Sequence, residues 1–390
     1  MELSSKSNSS SQIFLFAYSI YLISGIFEYT TMQIPRNLLN IIRIIAISII
    51  IFKIFYYDKV TYKWIVSFLC LFLLSIITYI KSDSAMLLYT VILAYGANGI
   101  KFEYILKFFR NISTVIIILI TISAFMGVLP NLVFFSSNGA KRMAMGFYYP
   151  TDYVAFLDYI IWADMYILLS EKKEIFKKSI LYIFVAALTY LFCNSRLGSS
   201  MILISVFFLW YTKLMENRKI HKFSKYIYTH IYTISTLVTV ILVYLYTENP
   251  NNPILGKLDT FFNYRLYYSK LGVIRYGYSL FGQHIEMVTT TNSTVADYLK
   301  SNYFYIDSSY MAIILTYGIV TMFILCLAFS KAIKRDLKAG NLYSVVILFL
   351  VSIDSLIGQQ LLNPVYNPFL FLALSSFYTT RNESQMFSNI

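Results

Sequence analysis

Hydrophobic residues in this chain fall into long, continuous runs instead of the alternating pattern of a half-buried strand. A helix needs about 20 apolar residues to cross a bilayer core of roughly 30 Å, and twelve runs approach or exceed that length. Continuous apolar character predicts helices rather than the strands of a membrane barrel. The predicted spans are 12–27, 38–57, 64–80, 85–100, 112–130, 152–170, 178–194, 197–213, 226–247, 307–330, 342–361 and 365–380. We therefore expect an all-α, polytopic integral membrane helical bundle of about 12 transmembrane helices, within a range of roughly 10–13.

Polar segments between the runs define the expected organisation of one membrane domain, 1–390. Residues 1–11 form a polar cytoplasmic N-terminus and residues 381–390 a cytoplasmic tail. Two longer segments, 131–151 and 248–306, are predicted extracytoplasmic loops, the second being the largest polar stretch of the chain. Apolar residues spaced by four within 257–271 predict an amphipathic helix lying at the membrane interface. The short polar stretch at Asn194-Ser195-Arg196 predicts a tight helical hairpin.

Composition supports the membrane class, because 58% of the residues are hydrophobic and only 13% are charged. Soluble domains carry about 25% charged residues, so a water-soluble enzyme is excluded. A net charge of +13 would indicate nucleic acid in a soluble protein, but no nucleic-acid-binding motif accompanies it here. We expect no nucleic-acid partner.

The cations alternate from one polar segment to the next. With both termini in the cytoplasm, 21 Lys and Arg residues, including Lys53, face inward and ten face outward, while Arg43 lies within a span. This asymmetry is the one that the positive-inside rule predicts. The cytoplasmic loops are short and contain no phosphate-binding glycine motif, so any chemistry is expected at the outer face.

Four arginines are expected at that face although cations are disfavoured there, namely Arg142, Arg196, Arg265 and Arg275. Arginine presents a planar donor fork that suits phosphate and diphosphate. Several such residues at one face would suit a lipid-linked anionic substrate. Phospholipid headgroups or aspartate partners are the alternative explanation for each of them.

Carboxylates and one histidine are the other candidates at the outer face. Asp152, Asp158, Asp307 and Asp354 lie at or below it, and ionisable residues inside membranes are functional hypotheses by default. Pairing with Arg or Tyr to lock helices together is the alternative. His284 is the only histidine expected outside and is a candidate general base. No metal-ligand spacing occurs, so we expect no metal and no cofactor.

Short motifs follow one another in a familiar order. They are Arg142-x-x-x-Gly146-Phe147-x-Tyr149-Pro150-Thr151, Asn194-Ser195-Arg196, Asn263-x-Arg265 with Leu280-Phe281-Gly282, and Asp307-Ser308-x-Tyr310 with Gly318. In this order and topology the chain resembles the oligosaccharide repeat-unit polymerases (Wzy type) of bacterial capsule and O-antigen assembly, especially those of Gram-positive bacteria. The resemblance covers about 140–320.

The resemblance implies a metal-independent membrane glycosyltransferase of the bacterial cytoplasmic membrane. Such an enzyme joins undecaprenyl-diphosphate-linked oligosaccharide units, which serve as donor and acceptor, on the outer face of the membrane. By motif position, Arg142, Arg196 and Arg265 would neutralise the diphosphate and His284 would be the base, with Asp307 or Asp158 behind it. The resemblance also implies substrate binding by a further set of residues, namely Arg275, Asp152, Asp158, Asp307, Tyr149 and Asn194.

This chain departs from the family at two motifs. It has Tyr149-Pro150-Thr151 where members often have His-Pro-Asn, and Asp307-Ser308 where they often have Asp-Asn, so one candidate base is missing. Membrane lipid, a flippase and a chain-length regulator are the further expected partners. A lipid-linked glycan ligase, a flippase or other secondary transporter, and a structural scaffold remain alternatives.

Overall fold

The computed structural model describes residues 2–135, 139–216, 218–288 and 303–378, with side chains from residue 9 onward, and its architecture is helical. Eight of the described helices are long and apolar enough to cross a membrane. In chain order the described helices are α1 (Glu2–Glu28), α2 (Arg36–Tyr57), α3 (Tyr62–Ser82), α4 (Met86–Gly96), α5 (Phe102–Phe125), α6 (Pro150–Ser170), α7 (Phe176–Cys193), α8 (Arg196–Leu214), α9 (Lys222–Glu248), α10 (Pro253–Phe261), α11 (Arg265–Tyr276), α12 (Ser309–Ala312), α13 (Ile319–Ala339), α14 (Leu342–Asp354) and α15 (Phe369–Ser375). The predicted tail 381–390 and residues 289–302 of the large loop lie outside the described residues.

The first helix differs from the prediction at its start. The sequence predicts a polar segment 1–11 followed by a span, whereas α1 is helical from Glu2 and its spanning part is Ser9–Glu28. Serine-rich polar residues do not stop a helix that has no glycine or proline to break it. The predicted span 85–100 is also shorter, because α4 covers only Met86–Gly96.

The hairpin predicted at Asn194 is confirmed. Helix α7 ends at Cys193 and α8 begins at Arg196, and Asn194 between them adopts a left-handed backbone with φ 44°. Asparagine tolerates this conformation better than most residues, which explains the reversal. The start of α8 packs closely on α6, since a Cβ added at Gly198 would lie 2.4 Å from Val154 Cγ1.

The predicted continuous span 307–330 is wrong. Helix α12 gives way to a π-helical turn at Ile313–Tyr317, and the chain then breaks at Gly318 before α13 begins. At this break the segment 279–283 crosses the chain, and its Ser279 and Leu280 carbonyls accept hydrogen bonds from the amides of Ile319 and Val320 at 3.0 and 3.1 Å. Hydropathy does not detect the break, because the residues around it are apolar.

The predicted spans 342–361 and 365–380 are also interrupted. Helix α14 ends at Asp354 and α15 is only Phe369–Ser375, so 355–368 is largely non-helical although most of its residues are buried. Irregular backbone at membrane depth is tolerated where protein surrounds it and satisfies its polar groups. Two such bonds come from distant helices: Thr90 Oγ1 donates to the Leu362 carbonyl at 3.0 Å and Tyr18 donates to the Pro364 carbonyl at 3.2 Å.

The predicted loop 131–151 contains a small antiparallel hairpin that an all-α prediction misses. Strand β1 (Val133–Phe135) pairs with β2 (Lys141–Met143), with Phe134 opposite Arg142. The large loop also differs, since its predicted helix 257–271 is two helices, α10 and α11. They are separated by Asn263 and Tyr264, whose φ angles are 53° and 63°. Leucine spacing continues across this turn, so periodicity alone predicts one helix.

One of the cations assigned to the cytoplasmic loops has a structural role in the core. Lys53 is fully buried, and its ammonium forms an ion pair with Asp58 at 2.6 Å. It also donates to the carbonyls of Gly96 and Asn98 at 2.7 and 3.1 Å. Because Gly96 ends α4, the cation lies at the negative end of that helix and ties α2 to it.

Candidate functional site

Arg265 is held at the start of α11 by a buried carboxylate on α10. Asp259 Oδ1 accepts hydrogen bonds from the amides of Leu266 and Tyr267 at 2.9 and 3.1 Å, and its Oδ2 accepts one from the Tyr246 hydroxyl at 3.2 Å. These amides are among those that a helix start leaves unpaired. The left-handed turn before Arg265 brings α11 back over α10, so Asp259 reaches the amides seven and eight residues later.

The Arg265 guanidinium points toward the carboxylates that precede α12 and end α14. Its Nε lies 3.6 Å from Asp307 Oδ2, which is an ion-pair distance and too long for a hydrogen bond. It also interacts electrostatically with Asp354. The Arg265 side chain is 14% exposed and that of Asp307 is 31% exposed. Partial burial of Asp307 raises the pKa of its carboxyl, while the positive charge of Arg265 lowers it. Both side chains are therefore only partly exposed.

Arg142 on β2 interacts electrostatically with Arg265. Burial lowers the pKa of Arg142, and the positive charge of Arg265 lowers it further. Its Nε donates to the Cys193 carbonyl at 3.4 Å, which fixes the strand against the end of α7. Within the described ranges no carboxylate lies at ion-pair distance from Arg142. Two guanidinium groups from segments more than 100 residues apart in the sequence thus create a region of positive potential.

Arg196 and Asn194 belong to the hairpin that Arg142 contacts. Asn194 is partly buried and directly follows Cys193, whereas Arg196 is exposed in the first turn of α8. The contact with the Cys193 carbonyl therefore brings the Arg142 motif and the Asn194-Ser195-Arg196 motif to the same end of the bundle. We call this region, formed by 139–152, 193–196 and 262–268, the arginine end.

The two carboxylates of α6 face different partners. Asp152, in the first turn, interacts electrostatically with Asp307 and with three tyrosines, Tyr29, Tyr305 and Tyr366. Asp158 is 2% exposed, interacts with Asp354, and has an Oδ1 with no hydrogen-bond partner within the described residues. Carboxylates this close disfavour a second negative charge on one another. They form an acidic floor beneath the two arginines.

Tyr149 and Arg275 lie at the edges of this arrangement. Tyr149 precedes α6 and stacks on Phe134 of the hairpin, with ring centroids 5.5 Å apart. It also interacts with Tyr303, which neighbours Arg265 and Asp307. Arg275 lies ten residues after Arg265, about 15 Å farther along α11. Its guanidinium lies 4.9 Å from the centre of the Phe304 ring, so it is a cation–π partner there.

His284 is exposed beside the crossing segment, and the described structure gives it no contact with the arginines. Its assignment as a base stays a prediction. Asp164, on the deeper part of α6, has a structural environment: it pairs with Arg110 and Lys178 at 2.7 Å each and accepts a hydrogen bond from Tyr182 at 2.7 Å. No group of three or more His, Cys, Asp or Glu side chains in the described ranges is arranged to hold a metal ion.

Sequence reasoning missed several residues that shape the site. In the sequence, Asp259 is one acidic residue of a polar loop. Its role as the cap of α11 depends on the separation of α10 from α11, which no local pattern predicts. Tyr29 accepts a hydrogen bond from Asn363 Nδ2 at 2.7 Å, and Tyr305 donates to Gln359. The first pair joins the end of α1 to the non-helical segment 355–368, and the second joins the residues before α12 to the same segment. No local sequence pattern marks either pair.

A recess adjoins the start of α11. Its volume is about 520 Å³, and aromatic and acidic side chains line it, among them Tyr246, Asp259, Tyr264, Tyr267 and Tyr268. Tyr267 and Tyr268 pack edge to face, and Tyr268 packs on Tyr303. Tyr268, in the wall of the recess, therefore contacts Tyr303, which interacts electrostatically with Asp307.

Comparison with protein-family models, with curated proteins and with solved structures finds no match to this chain. The fold and the side chains at the arginine end therefore carry the functional inference.

Proposed function

We propose that this chain is a membrane glycosyltransferase that polymerises lipid-diphosphate-linked oligosaccharide units at the outer face of a bacterial cytoplasmic membrane, as the Wzy-type resemblance implies. The observation that carries the proposal is the approach of Arg142 and Arg265 at one end of the bundle, with the Arg196 hairpin beside them. A diphosphate is the doubly charged group that such a pair of planar donor forks suits.

The arginines would act on the leaving group. The acceptor hydroxyl oxygen bonds to the anomeric carbon of the donor glycan while that carbon's bond to the diphosphate oxygen breaks, and the bonding electron pair leaves with the lipid diphosphate. Guanidinium groups already in place stabilise the charge that develops there without reorganising. A role in stabilising the leaving diphosphate fits the positive potential around Arg142 and Arg265.

The acceptor hydroxyl must lose its proton to a base. Asp307 is favoured over His284, because it lies beside Arg265 and burial raises its pKa, which makes the carboxylate a better proton acceptor. Asp152 interacts electrostatically with Asp307 and can share the proton. His284 remains the alternative base, to be tested separately.

The tyrosine-lined recess beside Arg265 suits the sugar part of the substrate. Clefts of roughly 300–1,000 Å³ bind small ligands, and amphipathic tyrosines offer both an apolar ring face and a hydroxyl. Its position next to the diphosphate-binding arginines matches a glycan attached to a lipid diphosphate. A flippase that supplies the lipid-linked units and a chain-length regulator are the proposed protein partners.

The decisive experiment incubates the purified protein in nanodiscs with a lipid-linked repeat unit and resolves the products on a gel. We expect a ladder from the unchanged chain and a loss of at least about 100-fold in rate for Arg265→Gln and Arg142→Gln, since each removes donors to the leaving group. Lys257→Gln is the matched control, because it removes an exposed cation of the same loop. A full ladder from both arginine variants would overturn the mechanism.

A secondary transporter is the second candidate, and one observation favours it. The chain is broken at Gly318 and again after the buried carboxylate of Asp354, and transporters build their sites on discontinuous helices. A lipid-linked glycan ligase would share the arginines and differ only in its acceptor. In cells, loss of a polymerase leaves single repeat units at the surface, loss of a ligase leaves long lipid-linked polymer, and loss of a flippase leaves no units at the surface.

A further inference from the structure

A half-open groove of about 620 Å³ runs along the bundle between α5, α6 and α7. Its walls are apolar and include Ile118 and Ile122 of α5, Leu157 of α6, and Val185 and Leu188 of α7. Several of these side chains are substantially exposed, Ile118 by 51%. All three helices are candidate membrane spans, so the groove would open sideways into lipid.

The two ends of the groove differ in their charge balance. At one end Asp164 neutralises Arg110 and Lys178 and also accepts the Tyr182 hydrogen bond, so the polar groups there satisfy one another. The opposite end is lined by Met145, Tyr153 and Phe192. Phe192 adjoins Cys193, whose carbonyl binds Arg142. This end of the groove therefore leads to Arg142, which has no carboxylate at ion-pair distance among the described residues.

The length of the groove restricts its occupant. On α5 it extends from Arg110 to Phe125, which is about 22 Å at 1.5 Å per residue. One leaflet of the hydrocarbon core is only roughly 15 Å thick. An occupant that fills the groove would thus pass the bilayer midplane, where the acyl chains of one leaflet normally end. A polyisoprenoid tail, which is much longer than one leaflet is thick, suits this length.

We propose that this groove binds the polyisoprenoid tail of the lipid diphosphate, with the anionic head at Arg142 and the tail descending toward Asp164. The inference rests on the proposed function and adds the part of the molecule that would hold the lipid. The network of Arg110, Asp164 and Lys178 would then close the far end of the groove. Its charges already neutralise one another, so no lipid headgroup is required there.

The test measures lipid binding without any glycan, by native mass spectrometry of the purified full chain with added undecaprenyl phosphate. Val185→Trp and Ile118→Trp fill the groove from opposite walls, at positions exposed enough to accept the larger ring. Ile183→Trp is the matched control, since it lies on α7, is 48% exposed and does not line the groove. We expect affinity to fall about tenfold or more in both groove variants and to stay unchanged in the control.

Two further binding measurements test the orientation of the lipid in the groove and the class of lipid that binds. Arg142→Gln should weaken binding of undecaprenyl phosphate but not of the uncharged alcohol undecaprenol, and equal effects on both would overturn the placement of the head. Phosphatidylglycerol competing as well as undecaprenyl phosphate would overturn the isoprenoid assignment. If both tryptophan variants bind normally, the groove inference fails while the polymerase proposal stands. If they lose binding but the unchanged chain makes no ladder, the proposed reaction fails and the lipid site stands.

Discussion

Removing the Asp259 carboxylate should release Arg265 without unfolding the bundle. Asp259→Ala deletes the acceptor of the Leu266 and Tyr267 amides and of the Tyr246 hydroxyl. Loss of a helix cap costs about 0.5–2 kcal/mol. A buried amide left unpaired adds about 1–3 kcal/mol, and Leu266 is buried whereas Tyr267 is exposed. The start of α11 should therefore lose about 3 kcal/mol of local stability.

This loss has a measurable signature in hydrogen exchange. A change of about 3 kcal/mol raises the population of the locally open state roughly 100-fold, so exchange at the Leu266 and Tyr267 amides should accelerate by that factor. Amides in the middle of α6 should not change, since the carboxylate makes no contact there. The rate of ladder formation should fall with it, because Arg265 is one residue before the released amides.

The control is Asp259→Asn, which keeps an oxygen acceptor for both amides and places an amide donor near the Tyr246 hydroxyl. It should retain most of the protection and most of the activity. The reasoning would be refuted if Asp259→Ala left exchange at the two amides unchanged. Equal damage from both substitutions would show that the negative charge, and not the capping oxygen, is what the site requires.

Three further substitutions test other parts of the structure. Lys53→Met should lower stability by about 3–5 kcal/mol in thermal unfolding because it leaves Asp58 buried and unpaired, and adding Asp58→Asn should restore part of the loss. Gly318→Ala should reduce the melting temperature more than Gly340→Ala: both have positive φ, but only at Gly318 would the new Cβ lie 2.4 Å from a backbone carbonyl. Asp307→Asn should flatten the pH dependence of stability. Burial raises the pKa of this carboxyl, so the unchanged chain loses stability as pH rises through that pKa, and parallel curves would contradict the assignment.

The long helices could be predicted from the sequence because apolar length is a local property. Helices α2, α3 and α6 to α9 follow the predicted runs closely at both ends, since each must bury or shield its own backbone in lipid. Helix α5 overlaps its predicted run 112–130 but begins at Phe102 and ends at Phe125. The breaks could not be predicted in the same way. Gly318 interrupts an apolar run because another segment crosses it, and hydropathy carries no information about that crossing.

The residues of the candidate site could likewise be predicted from the sequence, but their spatial arrangement could not. The arginines were identifiable one by one, because a cation expected outside is disfavoured and needs a reason. The approach of Arg142 to Arg265 depends on the β-hairpin and on the turn after α10, and both arise from tertiary contacts. For Arg196 and His284 the described structure adds no contact with Arg265, so their roles rest on motif position.

During synthesis, α1 and α4 leave the ribosome long before the segment 355–368 to which they bind. The hydroxyls of Tyr18 and Thr90 emerge 346 and 272 residues before the carbonyls that they bind. At about 5–20 residues per second, α1 waits roughly 17–70 s for its partner segment. During that interval the hydroxyls of Tyr18 and Thr90 lack the carbonyl partners that they have in the folded protein. We expect the nascent chain to depend on membrane insertion factors, and chains that stop before residue 362 to be degraded rather than to accumulate.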